Sequence, residues 1–515
     1  MTWWREGSIY QVYPRSFQDA SGDGVGDLEG IRTRLPYLAW LGVDAVWLSP
    51  FYLSPMVDFG YDVSDHEDVD PLFGSLEDWD RLAADARALG LRLILDFVPN
   101  HTSEQHPWFA SGERRDWYLW RDEPTNWVSV FGGPAWTWQE TAGAFYYHAY
   151  LPQQPDLNWR NPAVREAMAD VLRFWVARGA DGFRIDALRQ TIKDDRWRDN
   201  PSNPAWRDGE DPYHALLPEF TTDRPEVQDV VRLLRATVDE AAVAADGREP
   251  VLIGELYLPI ERLMAYYASG LDLPANFHLL TTPWEARAIA GLADAYEAAL
   301  PDGAWPNWVL GNHDRPRLAS RVGAAQARAA AVLLLTLRGT PTLYYGDEIG
   351  MRDVPVAADR VQDPWERRVP GQRLGRDPER TPMQWDDGPN AGFCAPGVDP
   401  WLPLADDAGA INVAAQGDDP HSTLMLYRAL LRLRRAEPAL AVGSYRTVSA
   451  DDGVLVYERG DELRVALNLS REPVETAARG VVLLGTDPAR EGETLRRGLR
   501  LTGGEAVIVR TSRSA

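Results

Sequence analysis

Short apolar runs recur along the chain, and most of them follow a stretch of helical character. The clearest runs are SIYQVY (8–13), DAVWLSP (44–50), LRLILDFVPNH (91–101), GFRIDA (182–187), VLIGELY (251–257), NWVLGNHD (307–314) and TPTLYYGDEIG (340–350). A weaker run, NFHLL (276–280), is the expected sixth strand. Near-continuous apolar runs of this kind indicate parallel strands that are buried on both faces. Because strands alternate with helices about eight times, we predict an α/β fold built on a (β/α)8 TIM barrel.

Two long segments and a late change of pattern define the predicted domains. The barrel would comprise residues 1–101 and 155–437, with an inserted subdomain at 102–154, after strand 3, that is rich in Trp, Tyr and Gly. An irregular insertion at 351–412 follows the eighth strand, and loops of this length in a compact domain are usually functional. Short alternating strands come next, so 438–515 is expected to be a C-terminal antiparallel β domain.

Charged and polar side chains gather at the carboxyl ends of the apolar runs. They are Asp96, His101, Arg184, Asp186, Glu255, His313 and Asp314. In a barrel of parallel strands these ends meet at the face that carries the chemistry. Residues two apart on a strand face the same side, so Arg184 and Asp186 should be aimed at one place.

Two carboxylates on opposite sides of a cleft can cleave a glycosidic bond. Arg184 would keep Asp186 ionised, because a neighbouring positive charge lowers the pKa of a carboxyl group, and an ionised Asp186 is a competent nucleophile. Glu255 follows the apolar VLIG, where burial would raise its pKa and suit it to act as a general acid. A third carboxylate, Asp314, could hydrogen-bond sugar hydroxyls and stabilise the transition state.

Composition narrows the range of partners. A formal net charge of −24 over 515 residues argues against nucleic acid and anionic membranes, because both require a basic patch. The 21 tryptophans suit a sugar substrate, since aromatic rings stack on the flat faces of sugars. The only cysteine, Cys394, excludes an internal disulfide and a cysteine metal cluster. With neither an apolar signal core nor an apolar run of about 18 residues, we expect a cytoplasmic protein.

Four motifs in this chain resemble, in order, the signature regions of the α-amylase family (glycoside hydrolase family 13). They are DFVPNH (96–101), GFRIDA (182–187), GELY (254–257) and GNHD (311–314), and QPDLN (154–158) is similar to a fifth region. The resemblance covers nearly the whole chain. QPDLN, IYQVYPRSF (9–17) and RTPMQWD (380–386) look most like the α-glucosidase and oligo-1,6-glucosidase branch.

The resemblance implies a role for each matching residue. Asp186 would be the nucleophile, Glu255 the acid/base and Asp314 the transition-state stabiliser. Arg184 would hold Asp186 and Asp96 would support the site. The residues expected to contact the glucose at the −1 subsite, the position of the terminal sugar, are His101 and His313 by hydrogen bonds and Tyr61 by stacking, while Phe131 and Tyr150 would flank the entrance.

The same resemblance implies a pocket that is closed at one end. Asp62 would pair with Arg376, or alternatively with Arg380, to wall off the −1 subsite. Such a wall admits only a non-reducing end, so the enzyme would release one glucose at a time. Its open mouth would also let a sugar compete with water for the glucosyl-enzyme, which predicts transglucosylation at high substrate.

The loop DASGDGVGD (19–27) is a candidate metal site. Oxygen ligands occur at alternating positions, namely Asp19, Ser21, Asp23, the carbonyl of Val25, and Asp27. Alternating oxygens with glycine turns are how a loop wraps Ca²⁺ or, less often, Mg²⁺. The loop also resembles the metal loop of the glucosidase branch, with Ser21 in place of Asn. We expect a structural role for the ion.

The sequence therefore predicts an exo-acting, retaining α-glucosidase that hydrolyses terminal α-linked glucose from short oligosaccharides such as maltose. Ala187 follows the nucleophile where α-1,6-acting relatives tend to have Val, which favours α-1,4 linkages. An oligo-1,6-glucosidase and a sucrose isomerase or trehalose synthase-type transglucosidase stay open as alternatives, because such enzymes share the three acids. A non-catalytic barrel is disfavoured, since all three acids are present. The sequence does not give the oligomeric state.

Overall fold

A closed barrel of eight parallel strands forms the centre of the molecule in the computed structural model, which describes residues 2–372 and 374–511. The barrel strands are β1 (Ile9–Val12), β2 (Ala45–Leu48), β3 (Arg92–Phe97), β4 (Gly182–Ile185), β5 (Val251–Gly254), β6 (Leu273–Pro274), β7 (Asn307–Val309) and β8 (Thr340–Tyr344). Their order in the sheet is β6-β5-β4-β3-β2-β1-β8-β7. A parallel bridge between Asn276, just beyond β6, and Trp308 in β7 joins the two edges. The predicted (β/α)8 barrel is thus confirmed.

The sixth strand lies earlier than the sequence pattern predicts. β6 is Leu273–Pro274, whereas His278–Thr281, which overlaps the expected segment, is a short helix. The strand has only two residues, and its second is a proline, which donates no hydrogen bond to a sheet. So short a strand leaves no apolar run for the pattern to detect.

A long helix follows each barrel strand and packs outside the barrel. These helices are Leu28–Leu41, Leu76–Ala88, Pro162–Ala177, Val227–Ala245, Ile260–Ser269, Ala286–Ala299, Ala324–Thr336 and Thr423–Ala436. Aliphatic side chains fill the barrel interior, with Ile9, Ala45, Ile94, Val251, Leu273 and Val309 in one cluster. None of the described helices is long and apolar enough to cross a membrane.

Shorter elements connect the barrel units. The short helices are Trp3–Glu6, Pro14–Phe17, Pro107–Ala110, Arg115–Trp117, Leu188–Gln190, Pro212–Ala215, His278–Thr281, Leu318–Val322, Asp347–Ile349, Ala358–Arg360, Pro364–Arg368, Asp377–Glu379, Pro389–Gly392, Val413–Gly417, Pro438–Ala441 and Pro488–Arg490. A small antiparallel pair, Tyr52–Leu53 with Asp65–Val69, follows β2. The segment after β8 thus has only short helices before Thr423–Ala436, in line with its irregular sequence.

The insertion after β3 contains its own small sheet. Strands Trp120–Arg121, Ala144–Tyr147 and Trp136–Gln139 pair in that order and are antiparallel. Lys193, the only lysine in the chain, ties this subdomain to the barrel. Its buried ammonium contacts the Asp156 carboxylate and donates to Asn100 Oδ1 at 2.8 Å. Because Asn100 follows β3 and Asp156 follows the insertion, this buried cation joins both ends of the subdomain.

The C-terminal domain is antiparallel, as predicted. A six-stranded sheet has the order Tyr445–Asp451, Val454–Arg459, Leu463–Asn468, Ala506–Arg510, Gly480–Gly485 and Thr494–Leu495, and a second sheet pairs Val474–Thr476 with Leu499–Leu501. The domain packs on the barrel helix Ala324–Thr336, where Arg459 donates to the carbonyl of Thr336. This packing explains why the helix is buried on nearly all sides.

Candidate active site

One buried guanidinium, that of Arg184 in β4, binds three carboxylates. Its Nη1 lies 2.8 Å from Asp96 Oδ1 and 2.6 Å from Asp186 Oδ1. Its Nη2 lies 3.1 Å from Glu255 Oε1. Asp96 pairs with Arg184 in the sheet register, and Glu255 comes directly after β5, the neighbour of β4 on the other side. Three adjacent parallel strands therefore deliver the acids to one point.

The acid–base balance of this cluster differs from the sequence prediction. Burial raises the pKa of Asp186 well above its ordinary value, Arg184 opposes this rise, and the negative charges of Glu255 and Asp96 add to it. Burial likewise raises the pKa of Asp96 to about 6 despite its ion pair with Arg184. The prediction that Arg184 keeps the Asp186 pKa low is therefore wrong. Three acids share one cation, so the cluster favours retaining a proton.

The residue after Asp186 positions Glu255. Ala187 has a left-handed backbone, with φ of 48°, which is uncommon for a residue other than glycine. Its backbone N–H donates to Glu255 Oε2 at 2.9 Å. Glu255 is thus held at both oxygens, one by Arg184 and the other by the peptide that follows Asp186. This contact fixes the two carboxyl groups relative to each other.

A second chain of polar contacts reaches the cluster from β1 and β7. Gln11 Nε2 lies 2.7 Å from Nδ1 of His313, and Nε2 of His313 lies 2.6 Å from Tyr61 Oη. Tyr61 Oη in turn donates to Asp96 Oδ2 at 3.0 Å. Burial lowers the pKa of His313 well below its ordinary value, so the imidazole is neutral. The rings of Tyr61 and His313 are parallel within 1°, which holds both at the cavity wall.

Asp314, the third predicted catalytic acid, faces two arginines. Arg380 Nη2 lies 2.9 Å and Arg376 Nη1 lies 3.4 Å from Asp314 Oδ1. Burial alone would raise the pKa of Asp314, but the guanidinium groups of Arg376 and Arg380 outweigh it and hold the pKa below its usual range. Asp314 is therefore ionised. Arg380, considered only as an alternative partner of Asp62, binds Asp314 instead.

The predicted pairing of Asp62 with Arg376 is wrong, because Asp58 takes that place. Arg376 Nη2 donates to Asp58 Oδ1 at 2.8 Å, and Asp363 Oδ2 accepts from Nε of the same guanidinium at 2.9 Å. Asp62 instead accepts the backbone N–H groups of Val57 and Asp58, each at 2.9 Å.

The local backbone explains why Asp58, and not Asp62, pairs with Arg376. Phe59 and Gly60 both have positive φ, 51° and 106°, and form a tight turn in the segment DFGYD. Asp62 faces into this turn and caps it, whereas Asp58 at its start faces the cavity. The sequence offers two aspartates four residues apart, and only the turn geometry distinguishes them.

His101 and two aromatic residues complete the wall as the sequence predicts. His101 Nε2 lies 3.1 Å from the carbonyl oxygen of Tyr61, and burial lowers the pKa of this imidazole to about 4. Phe131 stacks on Trp365 at 5.1 Å, and Tyr150 packs edge-on against Phe131 at 5.5 Å.

These side chains surround a cavity of about 410 Å³. Its lining includes Asp58, Tyr61, His101, Phe131, Tyr150, Asp186, Arg189, Tyr213, Glu255, Tyr257, His313, Asp314, Arg315, Trp365 and Arg376. Arg184 lies behind the wall, and Asp62 is outside it. Sequence analysis missed Asp58, Asp363 and Trp365, as well as Arg189 and Arg315. The cavity has room for a disaccharide-sized ligand, within the usual range for small-molecule pockets.

The predicted metal loop lies apart from this cavity, before the helix Leu28–Leu41. Both oxygens of Asp19 accept backbone N–H groups of the loop, from Gly22 at 2.6 Å and Gly24 at 2.9 Å. Asp27 caps the helix through Gly30 N–H at 2.6 Å. Over residues 2–372 and 374–511, no group of three or more His, Cys, Asp or Glu side chains is arranged to hold a metal ion.

The donor chemistry of this loop nevertheless fits a hard cation. Asp19, Ser21, Asp23, Val25 and Asp27 all offer oxygen, the ligand atom that Ca²⁺ and Mg²⁺ take. The carboxylates of Asp19 and Asp27 are engaged by backbone donors of the loop itself, so binding would require them to share these contacts. The calcium site stays a prediction.

The fold and the site together define a barrel-type glycoside hydrolase. The model of the alpha amylase catalytic domain matches residues 11–443, and a domain of unknown function, DUF3459, matches residues 443–509. The chain belongs to the alpha-amylase family, which confirms the resemblance seen in the sequence.

Individual relatives agree with this assignment. The chain is 40% identical to an alpha-glucosidase of Apis mellifera over 488 residues, which cover 90% of this chain and 85% of the relative. It is similar to the crystal structure of the alpha-glucosyl transfer enzyme XgtA, with a TM-score of 0.92, 40% identity, and coverage of 99% and 100% of the two chains. A variant of the trehalulose synthase MutB has a TM-score of 0.89 and 32% identity, with coverage of 99% and 100%.

Exchanging each aspartate for asparagine distinguishes Asp58 from Asp62. Asp58→Asn leaves the Arg376 charge less compensated at the cavity wall, so kcat/KM for an α-glucoside should fall by about a hundredfold, the equivalent of about 2.7 kcal/mol. Asp62→Asn keeps one oxygen for the turn and should change kcat/KM much less. Equal losses in the two variants would contradict the assignment of Asp58. Melting temperatures measured in parallel separate loss of function from unfolding.

Proposed function

We propose that the protein is an exo-acting, retaining α-glucosidase that removes terminal non-reducing glucose from short oligosaccharides such as maltose. One observation carries this proposal. Asp186 and Glu255 sit on the two terminal nitrogens of the Arg184 guanidinium, in a cavity whose wall holds the Arg376–Asp58 ion pair. Paired carboxylates beside such a wall suit cleavage of the end sugar of a chain.

In the proposed first step, Asp186 attacks the anomeric carbon of the terminal glucose. Glu255 donates its proton to the glycosidic oxygen, the bond between that oxygen and the anomeric carbon breaks, and the remaining sugar leaves as an alcohol. In the second step, Glu255 takes a proton from water, and the oxygen of this water displaces Asp186 from the anomeric carbon. Two displacements at one carbon retain its configuration.

The electrostatics suit these roles. A cluster of three acids around one guanidinium favours retaining one proton. The proposed reaction requires that proton on Glu255, the donor, and an ionised Asp186, and the Arg184 guanidinium opposes the rise that burial causes in the Asp186 pKa. Asp314 is ionised, so its charge can stabilise the positive charge that develops on the glucose ring. Neutral His313 and His101 can hydrogen-bond sugar hydroxyls without adding charge.

The cavity also supports an exo mode of action. Arg376 is held between Asp58 and Asp363 and forms part of the wall, so a chain would enter with its end sugar first. The mouth of the cavity can admit an acceptor sugar as well as water, and we infer transglucosylation at high substrate. Ala187 is small and buried, and we infer a preference for α-1,4 linkages over α-1,6 linkages.

A sucrose isomerase is the second candidate. The chain is similar to a trehalulose synthase structure over 99% of its length. This similarity favours sucrose isomerisation over the other reactions that enzymes with the same three acids catalyse. The alpha-glucosidase relatives are more similar in sequence, and we keep hydrolysis as the main proposal.

We also propose that the loop at 19–27 binds Ca²⁺, or less often Mg²⁺, in a structural role, supported by its oxygen donors. The ion would be held by Asp19, Ser21, Asp23, the Val25 carbonyl and Asp27. For the natural setting, we infer a cytoplasmic location, supported by the single cysteine, Cys394, which needs no oxidising compartment. The net charge of −24 supports a small sugar, not nucleic acid or a membrane, as the partner.

The substrate proposal is tested by product analysis with maltose, isomaltose, sucrose and soluble starch. We expect glucose from maltose ahead of isomaltose, little attack on starch, and α-glucose as the first product in proton NMR spectra. Maltose should also yield trisaccharide at high concentration. Isomaltose ahead of maltose would contradict the linkage preference, β-glucose as first product would contradict retention, and conversion of sucrose to an isomer would select the second candidate.

The calcium proposal is tested by thermal melting after treatment with EDTA. Restoring Ca²⁺ at a hundredfold excess over its dissociation constant should add about 2.7 kcal/mol of stability and raise Tm. The response should be lost in Asp23→Asn, whose side chain is exposed and so does not disturb packing. An unchanged Tm on adding Ca²⁺ or Mg²⁺ to the EDTA-treated protein without the substitution would contradict the proposal.

A further inference from the structure

Two arginines line the cavity on the side where the leaving group must lie. Arg189 belongs to the short helix Leu188–Gln190 after Asp186, and Arg315 follows Asp314. Both are half-buried, and both adjoin Tyr257, two residues beyond Glu255. Because Glu255 protonates the glycosidic oxygen in the proposed reaction, side chains around Tyr257 face the leaving group, the aglycone.

Among the described residues, the guanidinium groups of these two arginines contact mainly Tyr257. Arg189 Nη1 donates to the carbonyl oxygen of Tyr257 at 2.8 Å. The Arg315 guanidinium lies 5.5 Å from the centre of the Tyr257 ring, and its interaction with the Tyr257 side chain helps to raise the Arg315 pKa. Within the described ranges, neither guanidinium has a carboxylate within 4.0 Å. Tyr257 itself is held by stacking on Phe277 at 4.5 Å.

Two of the acids near these arginines, Asp314 and Asp223, are already bound by other cations. Asp314 and Glu379 act on Arg315 from a distance, and Asp314 binds Arg376 and Arg380 directly. Asp223 acts on Arg189, but Asp223 pairs with Arg262 and accepts from Tyr266 at 2.5 Å.

One further acid lies at the cavity mouth. Asp211 sits 3.9 Å from His214 and binds the backbone N–H of Tyr213 at 3.0 Å. It makes no ion pair with Arg189 or Arg315 within 4.0 Å among the described residues. Two guanidinium groups therefore keep both charge and free N–H groups at the aglycone side of the cavity.

We propose that this aglycone site recognises an oxyanion, so that the enzyme prefers α-glucosides whose leaving group carries a carboxylate or a phosphate. The proposal rests on the proposed glucosidase function and names its substrate class. The guanidinium fork matches the paired oxygens of both groups, and such charge-assisted bonds are about twice as strong as neutral ones. A protein of net charge −24 repels anions at long range, so a local pair of cations is needed to bind one.

The chemistry of cleavage is unchanged by the charged group. The same bond between the anomeric carbon and the glycosidic oxygen breaks, and Glu255 supplies the proton to the departing oxygen. The oxyanion leaves with the aglycone and takes no part in the bond changes. Arg189 and Arg315 thus act on binding of the leaving group and set specificity.

The test compares maltobionate with maltitol as substrates. Both carry glucose on an open-chain six-carbon unit, and they differ by a carboxylate in place of a hydroxymethyl group. We expect kcat/KM for maltobionate to exceed that for maltitol by about tenfold, equivalent to about 1.4 kcal/mol. The ratio should fall towards one in Arg315→Gln and in Arg189→Gln. Sucrose 6′-phosphate against sucrose gives the corresponding ratio for phosphate and shows which oxyanion is preferred.

Controls separate this proposal from the function on which it rests. Arg287→Gln, an exposed arginine paired with Asp451 on the surface, should leave the ratio unchanged. Added NaCl should lower the ratio for the unaltered protein, which tests the charge even if a variant fails to fold. If maltitol and maltose are hydrolysed but neither anionic substrate is preferred to its neutral counterpart, the oxyanion site is overturned and the glucosidase proposal stands. Failure to hydrolyse any of these α-glucosides would overturn the glucosidase proposal itself.

Discussion

The buried ion cluster around Arg184 is the constraint on which the site depends. A guanidinium that is 2% exposed must be compensated by acids, because an uncompensated buried charge is strongly destabilising. Three adjacent strands supply these acids, Asp96 from β3, Asp186 from β4 and Glu255 from β5. The order of strands in the barrel thus brings three carboxyl groups to one guanidinium, and this excess of acid over base favours retention of a proton in the cluster.

A second cationic centre acts on the opposite wall. Arg376 and Arg380 hold Asp314 ionised, and Arg376 also binds Asp58 and Asp363 at the cavity wall. The two centres therefore shift the pKa values of their acids in opposite directions. Burial prevails at Asp186 and raises its pKa, whereas ion pairing prevails at Asp314 and lowers its pKa. Tyr61 connects them, with hydrogen-bond distances to His313 on one side and Asp96 on the other. One cavity can in this way hold acids that favour different protonation states.

The sequence predicted the barrel, the three acids and most of the wall, because these depend on strand periodicity and on residues at strand ends. The prediction from sequence failed where the deciding feature spans only a few residues. β6 has two residues, and the choice between Asp58 and Asp62 depends on the positive φ of Phe59 and Gly60. The Asp186 pKa was predicted with the wrong sign, since a neighbouring arginine is visible in sequence while the depth of burial is not. Arg189 and Arg315 could not be recognised either, because three-dimensional packing decides that no carboxylate of residues 2–372 and 374–511 lies within 4.0 Å of them.

The most direct test of this account is to identify the residue that bonds to glucose. The protein would be incubated with 5-fluoro-α-D-glucosyl fluoride, which forms the glucosyl-enzyme quickly and releases it slowly, then digested and analysed by tandem mass spectrometry. The account predicts one added fluoroglucosyl group, on Asp186 in the peptide that contains GFRIDA. A group attached to Glu255 or Asp314, or an inactivated protein with no attached sugar, would contradict the assignment of Asp186 as the nucleophile held by Arg184.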